Sequence, residues 1–259
     1  MSSMPHPRTA AEALLSAMHD GGVDYLLANS GTDFPPVIEA YARAEASGLK
    51  MPRPLVVPHE SVAVGMAHGH YLMSGRAQAV MVHVNVGLAN TVMAMINAAS
   101  DNVPVLLCSG RTPATEKGRL GSRNRPIHWG QEMRDQAAMV RESVKWDYEL
   151  RYGEQAGALA ARALAIARSA PPGPVYLSLP REALAEPLEG YAAEMPEFTP
   201  NPAGAPPAQA VAGAADLLAE AKNPLIIAHR ATSEETFTAL SDLAERFAGR
   251  DIDPGTDDF

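Results

Sequence analysis

The chain has 259 residues, enough for one large domain or for a domain of ordinary size and part of a second. Its formal net charge of -9, without any basic run, argues against nucleic acid and anionic membrane surfaces as partners. The sequence has no signal-peptide core, no apolar run that could cross a bilayer and only one cysteine, Cys108, so we expect a cytoplasmic location without intrachain disulfides.

Helical stretches and apolar runs alternate through the first two thirds of the chain. Thr9, followed three residues later by Glu12, has a capping-box pattern, which predicts a helix that ends near Gly21. The further predicted elements are, in chain order, a strand at 23–28, a helix at about 34–46, a strand at 55–57, a helix after Glu60, a strand at 79–84, a helix from 88 to about 99, and strands at 103–108 and 175–179. Continuous apolar strands separated by helices indicate an α/β fold, with a mostly parallel sheet covered by helices on both faces. Cys108 ends one of these strands and is expected to be a small buried residue.

Prolines become frequent between residues 186 and 207, which predicts a linker between a first domain, residues 1–185, and a second that starts at residue 208. The second part contains a helix at 208–221, a strand at 224–228 and a helix at 233–248 capped by Ser233, and no further strand is predicted after residue 248. One such unit cannot bury its own apolar faces. We therefore expect residues 208–259 to be the truncated start of a second, incomplete α/β domain.

Four polar loops follow predicted parallel strands, at the edge where α/β sheets bind their ligands. They are residues 29–32, 58–60, 83–90 and 109–112. None has the spacing of a Walker or dinucleotide-binding motif. Gly31 and Gly87 leave an alternative open, since each glycine can simply serve a turn that needs a positive φ.

Glu60 is the most informative residue of these loops. It stands between the apolar run 55–57 and a helical stretch of small residues, so its carboxylate is expected to be partly desolvated and chemically tunable. The alternative is a glutamate at the exposed start of a helix.

Together, the loops resemble the amino-terminal, pyrimidine-binding domain of thiamine diphosphate-dependent enzymes of the acetolactate synthase and benzoylformate decarboxylase type. The resemblance covers about residues 9–184 and continues into the start of the middle domain of that family. It implies the thiamine diphosphate-binding fold and thiamine diphosphate as cofactor. In the family, the acid at the position of Glu60 bonds a ring nitrogen of the aminopyrimidine and promotes removal of the thiazolium proton, which needs a carboxyl group in a dry site. Pro58, Gly87 and Asn90 would complete the cofactor-binding set.

Other residues match the family at substrate-facing positions. His83 lies where some decarboxylases of the family place a histidine for proton transfer, although a hydrogen-bonded structural histidine is the alternative. The turn 29–32 resembles the Asn-Pro-Gly-Ser turn of the family, so that Asn29, Gly31 and Thr32 would contact the substrate. Gly87 and Asn90 are the two matches to the Gly-Pro-Gly-Ala-Thr-Asn type sequence of acetolactate synthases.

Gln131-Glu132 resembles the Phe-Gln-Glu segment of acetolactate synthases, with Gly130 in place of phenylalanine, and Lys145 resembles a lysine further downstream. Gln131 would polarise a substrate oxygen, or else it is a solvated residue at a helix start. The stretch 121–129, rich in arginine, histidine and aromatic residues, suits a substrate entrance, a subunit interface or an ordinary exposed loop. The histidines do not have the spacing of a ligand set, so no metal site is predicted from them.

A complete enzyme of this family has a further domain, whose Gly-Asp-Gly motif and downstream asparagine hold magnesium and the diphosphate. Gly-Asp-Gly does not occur in the 259 residues, so we expect this chain to bind only the pyrimidine half of the cofactor and to lack the magnesium ligands. Three hypotheses follow: the N-terminal portion of an enzyme that decarboxylates or carboligates 2-oxo acids, a subunit of a split enzyme whose partner carries the diphosphate domain, or a truncated, non-catalytic product. The resemblance also favours self-association through pyrimidine domains.

Overall fold

Six parallel strands form the sheet on which the polar loops meet. In the computed structural model, which describes residues 6–188, 196–222, 224–228, 234–246 and 250–252, the chain divides into two units, 1–203 and 204–259. The strands of the first unit are Tyr25–Asn29 (β1), Arg53–Val56 (β2), Gln78–Val82 (β3), Val105–Arg111 (β4), Asp147–Glu149 (β5) and Val175–Pro180 (β6). They lie in the order β2-β1-β3-β4-β6-β5, with every neighbouring pair parallel.

Helices cover both faces of this sheet. They are Ala10–Asp20 (α1), Pro35–Ser47 (α2), Glu60–Ser74 (α3), Val84–Ser100 (α4), Pro126–Gln131 (α5), Ala156–Arg168 (α6) and Arg181–Ala185 (α7), with single turns of 3-10 helix at Ala137–Met139, Arg141–Ser143 and Gly153–Gln155. Successive strand residues point to opposite faces: Leu26 packs in the cluster with α1, α2 and α6, and Leu27 in the cluster with α3 and α4. The predicted parallel α/β fold is therefore confirmed, and Cys108 is fully buried as expected.

The capping pattern at the amino terminus forms only in part. Thr9 is the N-cap of α1, and its Oγ1 accepts a hydrogen bond from the backbone N of Glu12 at 3.3 Å. The Glu12 side chain does not return to Thr9; its Oε2 accepts from the backbone N of Arg8 at 2.7 Å. This bond still satisfies a backbone donor just before the helix and fixes where the chain enters it.

Two predicted boundaries around the site were wrong. Helix α4 begins at Val84, not near residue 88, because the backbone of Val84 is held by a side chain from another loop, a contact that local sequence does not encode. Strand β4 continues to Arg111, beyond the predicted end at residue 108, because residues 109–111 pair with β6. The predicted loops 83–90 and 109–112 are therefore mainly the first turns of a helix and the end of a strand.

The second unit contains Ala208–Glu220 (α8), Leu225–Ile227 (β7), Glu234–Arg246 (α9) and Arg250–Ile252 (β8). The prediction that no strand follows residue 248 was wrong: β8 pairs in parallel with β7, through backbone hydrogen bonds that need no apolar run. Helix α8 has no buried residue, and the expected cap Ser233 lies outside the described residues. The domain boundaries at 185 and 208 stay a prediction. Within the described ranges, no helix combines the length and hydropathy that a bilayer crossing requires.

Candidate active site

The carboxyl ends of β1, β2, β3 and β4 bring most of the predicted residues to one edge of the sheet. The turn after β1, Glu60 after β2 and His83 after β3 meet there because strands β2, β1 and β3 are parallel and adjacent. Gln131, which lies far along the chain, reaches the same place from α5.

Glu60 is the first residue of α3 and is 9% exposed, so it is not a glutamate at an exposed helix start. The N-cap is His59, whose Nδ1 accepts from the backbone N of Ser61 at 3.3 Å. Asn90 of α4 donates from Nδ2 to Oε2 of Glu60 at 3.0 Å. Within the described part of the chain, Oε1 of Glu60 has no hydrogen-bond partner. One carboxylate oxygen is thus fixed by the protein, at the positive end of a helix, and the other is available to a ligand.

His83 is held by Asp33, a residue that the sequence analysis did not select. Asp33 is 3% exposed, and its Oδ1 lies 2.6 Å from Nδ1 of His83. Because the carboxylate accepts, Nδ1 carries the proton and Nε2 is the ring nitrogen left for other partners. The pKa of His83 is raised: the hydrogen bond and charge of Asp33, and the charge of Glu60, outweigh the effect of burial, which lowers it.

Asp33 also fixes the start of α4. Its Oδ2 accepts from the backbone N of Val84 at 3.2 Å. Val84 has φ +34°, a conformation that costs a β-branched residue of order 1–3 kcal/mol and is kept only where neighbours enforce it. A Cβ at Gly110 of β4 would lie 1.6 Å from the same carboxylate oxygen, so the glycine provides the space that Asp33 occupies.

Gly31 and Gly87 do not serve a positive φ, because neither is among the positive-φ residues of the described chain; both instead lie close to a neighbouring side chain. A Cβ at Gly31 would lie 2.2 Å from Cγ and Nδ1 of His83. One at Gly87 would lie 3.0 Å from Cβ of Val82, so Gly87 lets α4 pack closely on β3. The turn interpretation of both glycines was wrong.

Gln131 is the last residue of α5, so the alternative of a helix start was also wrong. Its Nε2 lies 3.4 Å from Nε2 of His83, the ring nitrogen that Asp33 leaves free. The amide and the imidazole therefore face the same space beyond β3. This contact brings together two residues that the sequence analysis selected separately.

The remaining predicted residues lie around this centre. Asn29 is the half-buried last residue of β1, and Pro58 is exposed just before His59, the N-cap of α3. Thr32 is exposed, and its carbonyl O accepts from Nη1 of Arg181 at 3.1 Å. Lys145 lies just before β5, at the amino ends of the strands and therefore on the side of the sheet opposite to the site. Its Nζ donates to the carbonyl O atoms of Ile166 and Ser169.

A cavity of about 510 Å³ lies beside this centre, beyond β4 and β6, and is lined in part by Arg123, His128 and Trp129 of the stretch 121–129. Its charged and aromatic lining residues are Arg111, Glu116, Arg123, His128, Trp129, Glu132 and Glu149. His128 is buried, and its pKa is lowered by burial and by the charges of Arg123 and Arg181. Among the described residues, no three or more His, Cys, Asp or Glu side chains are grouped so that they could hold a metal ion.

Asp33 and Arg111 are the functional candidates that the sequence analysis missed. Asp33 directly follows the selected turn 29–32, so an acid at that place was the available signal. Arg111 stood within a predicted loop, and its partners Glu132 and Glu149 lie 21 and 38 residues away, a pairing that only the fold reveals.

Comparison with known proteins places this chain in a family. The sequence model described as "Thiamine pyrophosphate enzyme, N-terminal TPP binding domain" matches residues 8–139. The chain is 30% identical over 242 residues to the probable 2-ketoarginine decarboxylase AruI of Pseudomonas aeruginosa, covering 93% of this chain and 40% of that protein. It is 26% identical over 250 residues to the acetolactate synthase large subunit of Parasynechococcus marenigrum, covering 95% and 39%.

An X-ray structure from Mycobacterium smegmatis, described as a candidate thiamin diphosphate-dependent enzyme, superposes with a TM-score of 0.73 at 22% identity. The match covers 95% of this chain and 44% of that one, and it confirms the predicted fold. The chain thus spans about two fifths of the length of the curated relatives named here.

Proposed function

The chain belongs to the thiamine pyrophosphate enzymes, and on this basis we propose that its first unit binds the aminopyrimidine half of thiamine diphosphate in an enzyme that acts on a 2-oxo acid. The reaction is a decarboxylation or an acetolactate synthase-like carboligation, since relatives of both kinds are similar over most of the chain. As the chain covers about 40% of those proteins, the activity of the whole protein is part of the proposal.

The observation that carries the proposal is the environment of Glu60. A buried carboxyl group with one oxygen bound to Asn90 and the other without a partner among the described residues fits a ring nitrogen of an aminopyrimidine, an acceptor to which Oε1 can donate when it is protonated. On the helix that carries Asn90, Oδ1 of Asn85 in the first turn of α4 is buried without a hydrogen-bond partner in the described part of the chain, so it can accept from an amino group. These groups complement an aminopyrimidine, whose ring nitrogen accepts and whose amino group donates.

Bound thiamine diphosphate would supply a nucleophilic carbon that adds to the carbonyl group of a 2-oxo acid. Glu60 would hold and move a proton at Oε1, with Asn90 keeping the carboxylate in place. His83 would hold or donate a proton at Nε2, and its raised pKa keeps more of the ring protonated near neutral pH than an ordinary histidine would be. Gln131, Asn29, Gly31 and Thr32 would contact the substrate.

We also propose that the diphosphate and its magnesium ion are held by residues outside the 259 of this chain, because Gly-Asp-Gly does not occur in it. Those residues belong either to the same polypeptide or to a partner subunit. The exposed apolar side chains Val62, Met66 and Val86, at the starts of α3 and α4, support a site that another domain or a second copy covers.

Two-dimensional NMR of the chain with a soluble 4-aminopyrimidine related to thiamine tests the proposal. We expect the amide signals of Glu60, Asn90 and residues 84–87 to shift at ligand concentrations of about 1 mM, because a half-site should bind weakly, with a dissociation constant of that order. Glu60→Gln should abolish these shifts, whereas Glu39→Gln, a change of the same type at an exposed position on α2, should preserve them. Equal shifts in the wild type and Glu60→Gln would contradict the assignment of Glu60.

A further inference from the structure

Gln131 depends on its surroundings for its position at His83. It ends α5, which has six residues, begins without a side-chain cap and is too short to be stable alone. The next residue, Glu132, is already in an extended conformation. The placement of Gln131 is therefore determined by the contacts that hold the chain directly after it.

Those contacts come from the end of β4. Oε1 of Glu132 accepts from Nε of Arg111 at 2.9 Å and also from Nη2, and Oε2 accepts from Oγ1 of Thr112. Nη2 of Arg111 also donates to the carbonyl O of Met133 at 2.8 Å. One guanidinium thus binds two consecutive residues, which fixes both the position and the direction of the chain after Gln131.

Arg111 is itself anchored in the sheet. Its Nη1 donates to Oε2 of Glu149 on β5, an oxygen that also accepts from Oγ of Ser178 on β6 at 3.2 Å. Further along the same loop, buried Gln136 donates from Nε2 to Oγ of Ser109 at 2.7 Å. The segment after α5 is thus attached to β4 at two places, and β4 is an interior strand.

We propose that the Arg111–Glu132 ion pair is a positioning device that holds the amide of Gln131 against Nε2 of His83. With Asp33 accepting from Nδ1, a donating Gln131 amide holds the neutral ring in one tautomer through both nitrogens. The catalytic meaning of this arrangement rests on the proposed function, but the positioning itself belongs to this chain.

The substitution Glu132→Gln separates positioning from electrostatics, because the two effects change the pKa of His83 in opposite directions. Removing a negative charge lowers the pKa of His83. Releasing the Gln131 amide removes a bond that favours the neutral ring, and this raises the pKa. Asp33 and Glu60, whose charges raise the pKa of His83, are retained in the variant.

The experiment is an NMR titration of the histidine side chains in the chain without cofactor. We expect Glu132→Gln and Gln131→Ala each to raise the pKa of His83 by about half a unit, the size expected for one hydrogen bond. The double variant should show no further rise, since both changes remove the same contact. Asp135→Asn, which breaks the exposed pair with Arg141 in the same loop, is the matched control and should leave the pKa unchanged.

A fall or no change in Glu132→Gln, or additive rises in the double variant, would overturn the proposal. Arg111→Lys provides a second test if Glu132→Gln does not fold, because it keeps the charge but loses the fork that binds Glu132 and Met133. It should also raise the pKa of His83, and an unchanged pKa in a folded Arg111→Lys variant counts equally against the proposal. Since no thiamine compound is present, the result is independent of the proposed function.

Discussion

Asp33 determines how His83 can act, although it faces away from the free nitrogen of the ring. Its two oxygens bind the imidazole and the backbone of Val84, so one buried carboxylate sets both the tautomer of His83 and the start of α4. The same carboxylate favours the protonated ring through its hydrogen bond and its charge. Nε2 of His83 is thus prepared to take up and return a proton by a residue that a substrate does not need to contact.

Asp33→Asn should therefore lower the pKa of His83, since an amide can accept the same bond without the charge. A histidine whose pKa is raised by folding stabilises the protein fully below about pH 6.5, and this contribution is lost as the pH rises through the folded-state pKa. The variant should consequently lose more stability at about pH 5 than at about pH 9, by roughly 1.4 kcal/mol for each unit by which the pKa falls. NMR titration and urea unfolding at both pH values measure this. An equal loss at both would show that Asp33 acts only through Val84.

Glu60→Gln should remove turnover while leaving the fold intact. The glutamine carbonyl can still accept from Asn90, but the side chain can no longer hold or move a proton. We expect kcat of the complete enzyme, with its diphosphate-binding domain, to fall by at least about 10²-fold, the range of general acid–base catalysis. Asn90→Ala, which leaves the carboxylate in place but free to turn, should have a smaller effect. Wild-type turnover in Glu60→Gln would refute the role of Glu60.

Among the elements, β4 contributes most to the site because its last residues support both sides of it. Gly110 makes room for Asp33, and Arg111 holds the segment after α5. Gly110→Ala should push the Asp33 carboxylate away, destabilise the chain by about 1–3 kcal/mol and lower the pKa of His83. Gly65→Ala is the matched control: its Cβ would meet nothing within 4 Å, and alanine in the middle of α3 should stabilise the chain by up to about 1 kcal/mol. Urea unfolding and the His83 titration measure both variants, and an unaltered pKa in Gly110→Ala would contradict this account of the glycine.

The same elements show what sequence patterns can and cannot predict. β1, β3, β4 and β6 were found because each is a continuous apolar run, the pattern of a strand covered on both faces. β5 and β8 were missed because they are three residues long and contain charged side chains, so backbone pairing with a neighbour determines them. At the site, Glu60 and His83 could be selected from their places after strands. Asp33 bonds His83 across 50 residues of sequence, and no local sequence pattern connects residues that are so far apart.

For the whole molecule, the charge distribution suits a half-site. The chain has a formal net charge of -9, and two side-chain atoms at the site that lack a hydrogen-bond partner among the described residues, Oε1 of Glu60 and Oδ1 of Asn85, are oxygens. These two oxygens do not suit a diphosphate, which binds to cationic side chains, a metal ion or a helix N-terminus free of carboxylates. The aminopyrimidine ring is the part of the cofactor that these atoms suit.

The isolated chain should accordingly bind thiamine at least as tightly as thiamine diphosphate, with or without magnesium. The aminopyrimidine is common to both compounds, and an acidic chain without a diphosphate anchor repels the added phosphates at low ionic strength. Calorimetric or NMR titration with each compound, at low and at moderate salt, measures the ratio of the two dissociation constants. We expect this ratio to stay within about threefold of unity at moderate salt, where the repulsion is screened. Binding of the diphosphate more than about tenfold tighter in the presence of magnesium, a difference of about 1.4 kcal/mol, would place a diphosphate site within these residues and contradict the half-site proposal.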